Sequence, residues 1–222
     1  MSFWQPMALS FELAAVTTAV LLLVGLPLAG WMACGRGGLR PVVHALVGLP
    51  LVLPPTVLGF YLLLFLGPAG PVGRWLESLL GTRLVFSFPG LVVGSVLYSF
   101  PFMVQPIETA LAALPPSLAE AAWVLGKSRR ETFWRVLLPN VKSSVLTASL
   151  LTFAHTIGEF GVVLMIGGSI PGRTRVASIA LFEEVEAMNY AAAQRHALIL
   201  LAVAFAALIA LQLYRRRGVE AF

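Results

Sequence analysis

The feature that most constrains this chain is an uncharged apolar run of twenty residues, from Ala14 to Ala33. A helix of this length matches the hydrocarbon core of a bilayer, because each residue rises ~1.5 Å through a core of ~30 Å. Composition agrees, since 59% of the 222 residues are hydrophobic and only 11% are charged. Soluble domains carry about 25% charged residues. The sequence therefore predicts a membrane protein built from helices.

Four further apolar windows follow, so we predict an all-α integral membrane protein with about five transmembrane helices. In the second window, Pro50, Pro54 and Pro55 predict a bent or broken helix, because proline lacks an N–H. Pro54 and Pro55 are candidates for a hinge that lines a pathway; a simple packing kink is the alternative. The chain 1–222 is predicted to be one transmembrane domain with spans at about 14–33, 42–66, 89–114, 141–168 and 197–214.

The fourth window is the most polar of the five. His155 and Glu159 are four residues apart and are predicted to share one helix face. A carboxylate at mid-membrane costs about 2.5–3.5 kcal/mol on insertion scales, so Glu159 should face the protein interior or water. With Phe160 and Gly161, these residues are candidates for a pathway or gate; the alternative is a hydrogen-bonded pair that only holds packing. No neighbouring motif supplies further metal ligands, so no metal site is expected.

A polar loop at 115–142 separates the third and fourth windows and carries five Lys and Arg residues. Two helix starts are indicated in it. Ser117 is followed by Glu120, and Ser128 by Glu131, each at the spacing of a capping box. In such a box the Ser hydroxyl accepts from a free N–H while the Glu side chain reaches back to the cap N–H.

The same loop contains residues that should end these helices. Gly126 tolerates a positive φ and is expected to form a tight turn after the first helix. Pro139 is expected to end the second. The stretch from Ala121 to Ser128 also resembles a degenerate phosphate-binding loop, but its first Gly is missing and a helix, not a strand, is predicted before it. We therefore predict a helix–turn–helix docking element that does not bind ATP.

The spacing of these residues resembles the EAA loop of ABC importer permeases. The matching positions are Glu120, Ala121, Ala122, Gly126, Leu138 and Pro139. In that family the loop forms the coupling helices that sit in a cleft of the cytoplasmic ATPase. Further stretches, 49–59, 60–73, 158–161 and 171–174, extend the resemblance to the molybdate ABC transporter permeases over nearly the whole chain.

This resemblance implies a homodimeric type I importer permease with one pathway on its two-fold axis. Two ATP-binding cassette subunits would bind ATP and Mg, and an external molybdate-binding protein would deliver the anion. The chain itself would be no enzyme, with no catalytic residue and no cofactor. Tungstate and sulfate permeases share the loop, so both substrates stay open.

Charge distribution indicates the orientation. With the loop at 115–142 inside, ten of the fifteen Lys and Arg residues lie on the cytoplasmic side, as the positive-inside rule requires. The N-terminus is then outside and the C-terminus inside a bacterial or archaeal cytoplasmic (inner) membrane. This placement explains the net charge of +5 without nucleic acid.

Two other classes of function are alternatives to a permease. An intramembrane hydrolase could use a Ser with His155 and Glu159, but the chain has no Gly-x-Ser-x-Gly elbow. A channel or carrier independent of ATP is the other alternative, and transport without any ATPase subunit would favour it.

Overall fold

The computed structural model describes residues 3–35 and 37–219, and within these residues every regular element is a helix. The all-α prediction is confirmed. In chain order the helices are α1 (Trp4–Cys34), α2 (Arg40–Val52), α3 (Pro55–Leu66), α4 (Pro71–Leu80), α5 (Phe88–Ala112), α6 (Pro116–Val124), α7 (Arg129–Thr132), a π-helical turn (Phe133–Leu137), α8 (Leu138–Asn140), α9 (Lys142–Gly158), α10 (Gly161–Gly167), α11 (Ala177–Glu186) and α12 (Tyr190–Val219).

Among the described residues, α1, α5 and α12 are each long and apolar enough to cross a membrane. Two bent pairs also qualify: α2 with α3, bent by 114°, and the segment Arg129–Asn140 with α9, bent by 76°. The structure therefore supports three to five crossings, and the five windows fall on these elements. The exact spans stay a prediction. Of the basic residues used for orientation, Arg36 lies outside the described residues, as do the side chains of Arg215, Arg216 and Arg217.

The predicted break in the second window falls at Pro54 and Pro55. Helix α2 ends at Val52, and Leu53 is extended with φ −75° and ψ 137°. Pro54 is extended as well, and α3 begins at Pro55. Each proline disfavours helical backbone in the residue before it, so two in a row force two extended residues. Pro50 stays inside α2, so the pair of prolines makes the break.

Helix α5 forms the centre of the bundle and packs against both α1 and α9, which also contact each other. Its Met103, Val104 and Ile107 are fully buried. Helix α1 can approach this closely because of Gly25, where a Cβ would lie 3.1 Å from the Met103 Cγ. This core fixes the end of α5, from which the loop at 115–142 departs, and the end of α1, which the loop contacts.

Candidate functional site

Helix α6 opens the loop that resembles the coupling helices, and it begins differently from the prediction. Pro115 is the N-cap, with extended backbone at φ −58° and ψ 131°, and Pro116 is the first helical residue. Ser117 is therefore already inside the helix, and no side chain caps this end. The predicted capping box of Ser117 and Glu120 is wrong, because proline at the first helical position sets the start two residues earlier.

The turn after α6 is formed as predicted. Gly126 has φ +76°, a conformation that residues with a side chain rarely adopt. Its N–H donates to the Trp123 carbonyl at 2.9 Å, and the Lys127 N–H donates to the Ala122 carbonyl at 3.0 Å. These two bonds form a Schellman motif, which satisfies the last free carbonyls of the helix. The stretch from Ala121 to Ser128 does not have the structure of a phosphate-binding loop, because a helix and not a strand precedes Lys127.

The second predicted capping box is confirmed. The Glu131 N–H donates to the Ser128 Oγ at 3.2 Å, and the Ser128 N–H donates to the Glu131 carboxylate at 3.3 Å. Lys127 and Arg135 lie 3.6 and 3.8 Å from the same carboxylate. The Ser128 N–H, and after it the Lys127 ammonium, holds the pKa of the Glu131 carboxyl below its ordinary value. Glu131 thus stays ionised and fixes the start of α7.

Pro139 does not end the second helix as predicted. The chain passes from α7 into a π-helical turn, in which the Leu138 N–H donates to the Phe133 carbonyl. Helix α8 then runs through Pro139 to Asn140, and the direction changes at Val141, where φ is −110° and ψ is 17°. We attribute the continuation to the wider π turn, which moves the backbone carbonyl that a proline ring would otherwise meet.

The π turn places the loop in direct contact with the first membrane helix. The Phe133 ring lies so close to Gly30 of α1 that a Cβ there would be 2.4 Å from the ring. Leu137, in the same turn, is buried in the core cluster that includes Met32 of α1. A displacement of the loop would therefore be transmitted to α1.

The residues that match the EAA loop have different environments. Ala122 is buried, whereas Glu120 and Ala121 are exposed. At the end of α6, Val124 and Leu125 are 88% and 80% exposed, although both are apolar. An exposed apolar tip of this kind indicates a contact surface for another protein. Leu138 is half-buried and Pro139 exposed beyond the π turn.

The fourth predicted window is interrupted at the residues singled out as a gate. Helix α9 ends at Gly158, Glu159 is extended with φ −66° and ψ 134°, and α10 begins at Gly161. The expectation that His155 and Glu159 share one helix face is therefore wrong. Distant contacts hold the break, because the Ser178 hydroxyl donates to the Glu159 carbonyl at 2.5 Å.

His155 and Glu159 lie in separate environments. The Ser99 hydroxyl lies 3.0 Å from the His155 Nδ1, and the imidazole stacks on Phe102 with ring centres 4.0 Å apart. Glu159 is 4% exposed, and its carboxyl group interacts with Ser95 of α5. Phe160 packs against Phe182 of α11. Within residues 3–35 and 37–219, no three His, Cys, Asp or Glu side chains form a metal-binding group.

The two helix breaks contact each other. A Cβ on Gly161 would lie 2.7 Å from the Pro55 Cβ, so the start of α10 lies directly on the start of α3. Further along the same helices, a Cβ on Gly59 would lie 2.8 Å from the Met165 Cβ. The structure therefore brings together Pro55 and Gly161, which the sequence analysis named separately as pathway candidates. Pro54, the other proline of the pair, is the N-cap of α3.

Serine side chains that the sequence analysis did not single out tie the break to its surroundings. Ser10 of α1 accepts from the Ala177 N–H at 2.8 Å, which anchors the start of α11. Ser99 of α5 also lies 3.1 Å from the Thr156 Oγ1. Ser95, one turn before Ser99 on the same face of α5, interacts with the Glu159 side chain. The spacing of these two serines is the sequence signal that could have found part of this set.

The loop between α10 and α11 is organised by Thr174. Its hydroxyl donates to the Gly167 carbonyl at 2.7 Å and accepts from the Ile170 N–H at 3.0 Å. Arg175 forms an ion pair with Glu183, with 2.6 Å between the Nε and the carboxylate oxygen. The stretch 171–174, which contributed to the family resemblance, is thus a structured turn.

The described helices form a bundle whose longest members could cross a membrane, and a helical loop between them exposes an apolar tip. The chain belongs to the family described as binding-protein-dependent transport system inner membrane components, whose model matches residues 10–217. The resemblance to ABC importer permeases is thereby confirmed, and the chain is a permease subunit and not an enzyme.

Individual proteins with similar sequences are also permeases of transport systems. The chain is 50% identical over 214 residues to the molybdenum transport system permease protein ModB of Azotobacter vinelandii, covering 96% of this chain and 93% of that protein. It is 34% identical to the sulfate transport system permease protein CysT of Synechocystis, covering 97% and 78%. The fold matches a bacterial ABC transporter for the import of alginate with a TM-score of 0.72 at 20% identity, over 95% of this chain and 79% of that one.

Proposed function

We propose that this chain is the pathway-forming subunit of an ATP-driven importer of molybdate, which an external binding protein delivers. One observation carries the choice of substrate: the chain is 50% identical to a molybdenum permease and 34% identical to a sulfate permease. The match also extends over 93% of the molybdenum permease but over 78% of the sulfate permease. Molybdate is therefore favoured over sulfate, with tungstate as the nearest chemical alternative.

The exposed tip of α6 supports a role in coupling. Val124 and Leu125 are apolar and almost fully exposed, and burying such a side chain stabilises a contact by about 1.5–3 kcal/mol. We assign this tip, with Glu120 and Ala121, to the cleft of an ATPase subunit. That subunit would bind ATP and Mg, and this chain would bind neither.

The assembly would contain two copies of this chain around one pathway, and each loop would contact one ATPase subunit. The loop would lie in the cytoplasm, with the N-terminus outside. ATP binding would move the loops together, and the contact of Phe133 with Gly30 would carry that movement to α1. Such coupling requires that ATP bind one global state of the transporter more tightly than the other.

The gate is assigned to the two contacting helix breaks. Extended backbone within a membrane is tolerated only where it is buried in protein or lines a cavity. Pro54 and Pro55 form one break, and Glu159, Phe160 and Gly161 form the other. We infer that α3 and α10 move as one body, because Gly161 leaves no space between α10 and Pro55. His155 would hold α9 to α5 through Ser99.

The substrate is tested by uptake into proteoliposomes that contain this chain, its ATPase and its binding protein. Labelled molybdate, tungstate and sulfate are compared with and without ATP. Uptake of molybdate or tungstate but not sulfate, lost without ATP, is the expected result. Sulfate uptake at an equal or higher rate would overturn the substrate, and ATP-independent uptake would favour the channel or carrier.

The coupling role is tested separately with Glu120→Arg, which reverses a charge on the exposed face of α6. We expect ATP hydrolysis to continue while uptake falls, with the chain still inserted in the membrane. Glu77→Arg, on α4, serves as the control with the same charge change. Normal uptake by Glu120→Arg would show that this face of α6 does not contact the ATPase.

A further inference from the structure

A groove of about 620 Å³ opens where α1 and α5 end and the loop at 115–142 begins. Its inner wall is apolar and its rim is aromatic. Trp31, Trp123 and Trp134 are 43%, 47% and 44% exposed, so each presents part of its indole to the groove. The apolar wall consists of Pro27, Gly30, Ala33, Leu111, Leu114 and Leu137.

Arg129 and Arg130 supply positive charge at the same groove. In the described part of the chain, neither guanidinium lies within 4.0 Å of a carboxylate, whereas Lys127 and Arg135 both pair with Glu131. The Arg129 guanidinium lies over the Trp123 ring, 5.7 Å from its centre. Glu120 is the one acidic residue among those lining the groove, so the lining carries an excess of positive charge.

The position of the groove places it at the surface of the membrane. Helix α1, which is long enough to cross the bilayer, ends at Cys34, and the groove begins beside its last two turns. Tryptophan is enriched at this level of a membrane, because its ring is apolar and its N–H is polar. A ligand here would meet arginines at one end and an apolar wall at the other.

We propose that this groove binds an acidic phospholipid, with the phosphate on Arg129 and Arg130 and the first part of the acyl chains along the apolar wall. Arginine binds phosphate well because its planar fork can donate two parallel hydrogen bonds. Basic pockets between membrane helices are recognised sites for acidic headgroups. The proposal rests on the proposed function only in placing the groove in the cytoplasmic leaflet.

The groove and the docking surface share Glu120 but otherwise consist of different residues of the loop. Val124 and Leu125, which we assign to the ATPase contact, do not line the groove. The groove instead includes Phe133 and Gly30, the contact between the loop and α1. A bound lipid would therefore brace this contact between the loop and α1.

The test uses the full-length chain in nanodiscs of phosphatidylcholine that contain either brominated phosphatidylglycerol or brominated phosphatidylcholine. Bromine quenches tryptophan fluorescence on contact. Of the five tryptophans, Trp4 and Trp75 are replaced by Phe, which leaves the three that line the groove. Each arginine at a membrane surface is expected to contribute about fivefold to the preference for the acidic lipid.

We expect stronger quenching by the acidic lipid in the parent chain, about fivefold less preference in Arg129→Gln, and no preference in Arg129→Gln with Arg130→Gln. The variant Arg129→Lys with Arg130→Lys keeps the positive charge and should retain most of the preference for the acidic lipid. Arg74→Gln with Arg83→Gln, at α4 and the residues after it, is the control for lost charge and should leave the preference unchanged. Because the assay needs neither ATP nor substrate, its result is independent of the proposed transport activity.

Equal quenching by both lipids in the parent chain would overturn the proposal, and so would a preference that survives the double Gln variant. Full competition by inorganic phosphate would overturn it as well, by assigning the groove to a free anion. Loss of quenching when the ATPase subunit is added would instead assign the groove to the ATPase interface.

Discussion

Two interruptions of the helical bundle, the loop at 115–142 and the break at 158–161, have opposite physical origins. In the loop, the Ser128 cap and the Gly126 turn are held by hydrogen bonds between residues at most five positions apart. At the break, the Glu159 carbonyl is held by Ser178, and Gly161 packs against Pro55, more than a hundred positions away. The cap and the turn of the loop are thus built by local sequence, and the break by packing of distant segments.

This difference predicts how each region responds to substitution. A locally built turn should fail only locally, so that the bundle stays folded while coupling changes. A break held by tertiary contacts should fail globally, because a new atom there displaces two helices that pack on each other. The following variants test this contrast.

The largest effect is expected for Gly161→Ala. The new Cβ would lie 2.7 Å from the Pro55 Cβ, and such overpacking typically costs about 1–3 kcal/mol. The free energy of unfolding is measured by titration with a denaturing detergent. Gly158→Ala is the matched control, since a Cβ there meets nothing within 4 Å and the residue is helical. Equal stability of the two variants would refute the tight contact of α10 with α3.

Replacing Gly126 tests the turn of the loop. Gly126→Val forces a branched side chain to a φ of +76°, which costs roughly 1–2 kcal/mol locally. We expect uptake to fall while the stability of the bundle is retained. Gly126→Asn should transport far better than the valine variant, because asparagine adopts this conformation more easily. If both variants transport equally, the turn geometry is not needed for coupling.

The smallest effect is expected at the helix caps. Ser128→Ala removes a cap and should cost about 1 kcal/mol of local stability, whereas Ser117→Ala should change little. Hydrogen exchange of the amides at 129–132 and 116–124 measures the two helices separately. Each exchange rate is compared with the rate of the same amides in the parent chain. A larger increase in α6 of Ser117→Ala than in α7 of Ser128→Ala would contradict the assignment of the caps.

The contrast also explains which features the sequence could predict. The turn at Gly126 and the box at Ser128 were predictable, because their partners are neighbours in the chain. The break at Pro54 and Pro55 was predictable for the same reason, since each proline acts on the residue before it. Ser117 could have been excluded as a cap, because a proline directly before it already suits the first helical position.

The second break could not be derived in this way. Gly158 and Gly161 lie in a window that has the length of a span, and nothing adjacent identifies Ser178 or Pro55 as partners of this break. The environments of His155 and Glu159 were missed for the same reason, since Ser99 and Phe102 belong to another helix. The continuation through Pro139 depends on a π turn that no local signal announced.

The central claim is that the tip of α6 couples an ATPase to transport through this chain. The most direct measurement records molybdate uptake and ATP hydrolysis together in proteoliposomes. It compares the parent chain, the variant Leu125→Glu, and the control Leu79→Glu, which changes an exposed leucine on α4. We predict that Leu125→Glu loses ATP-driven uptake while the control keeps it. Uptake at the parent rate by Leu125→Glu, with the same molybdate carried for each ATP hydrolysed, would contradict the account.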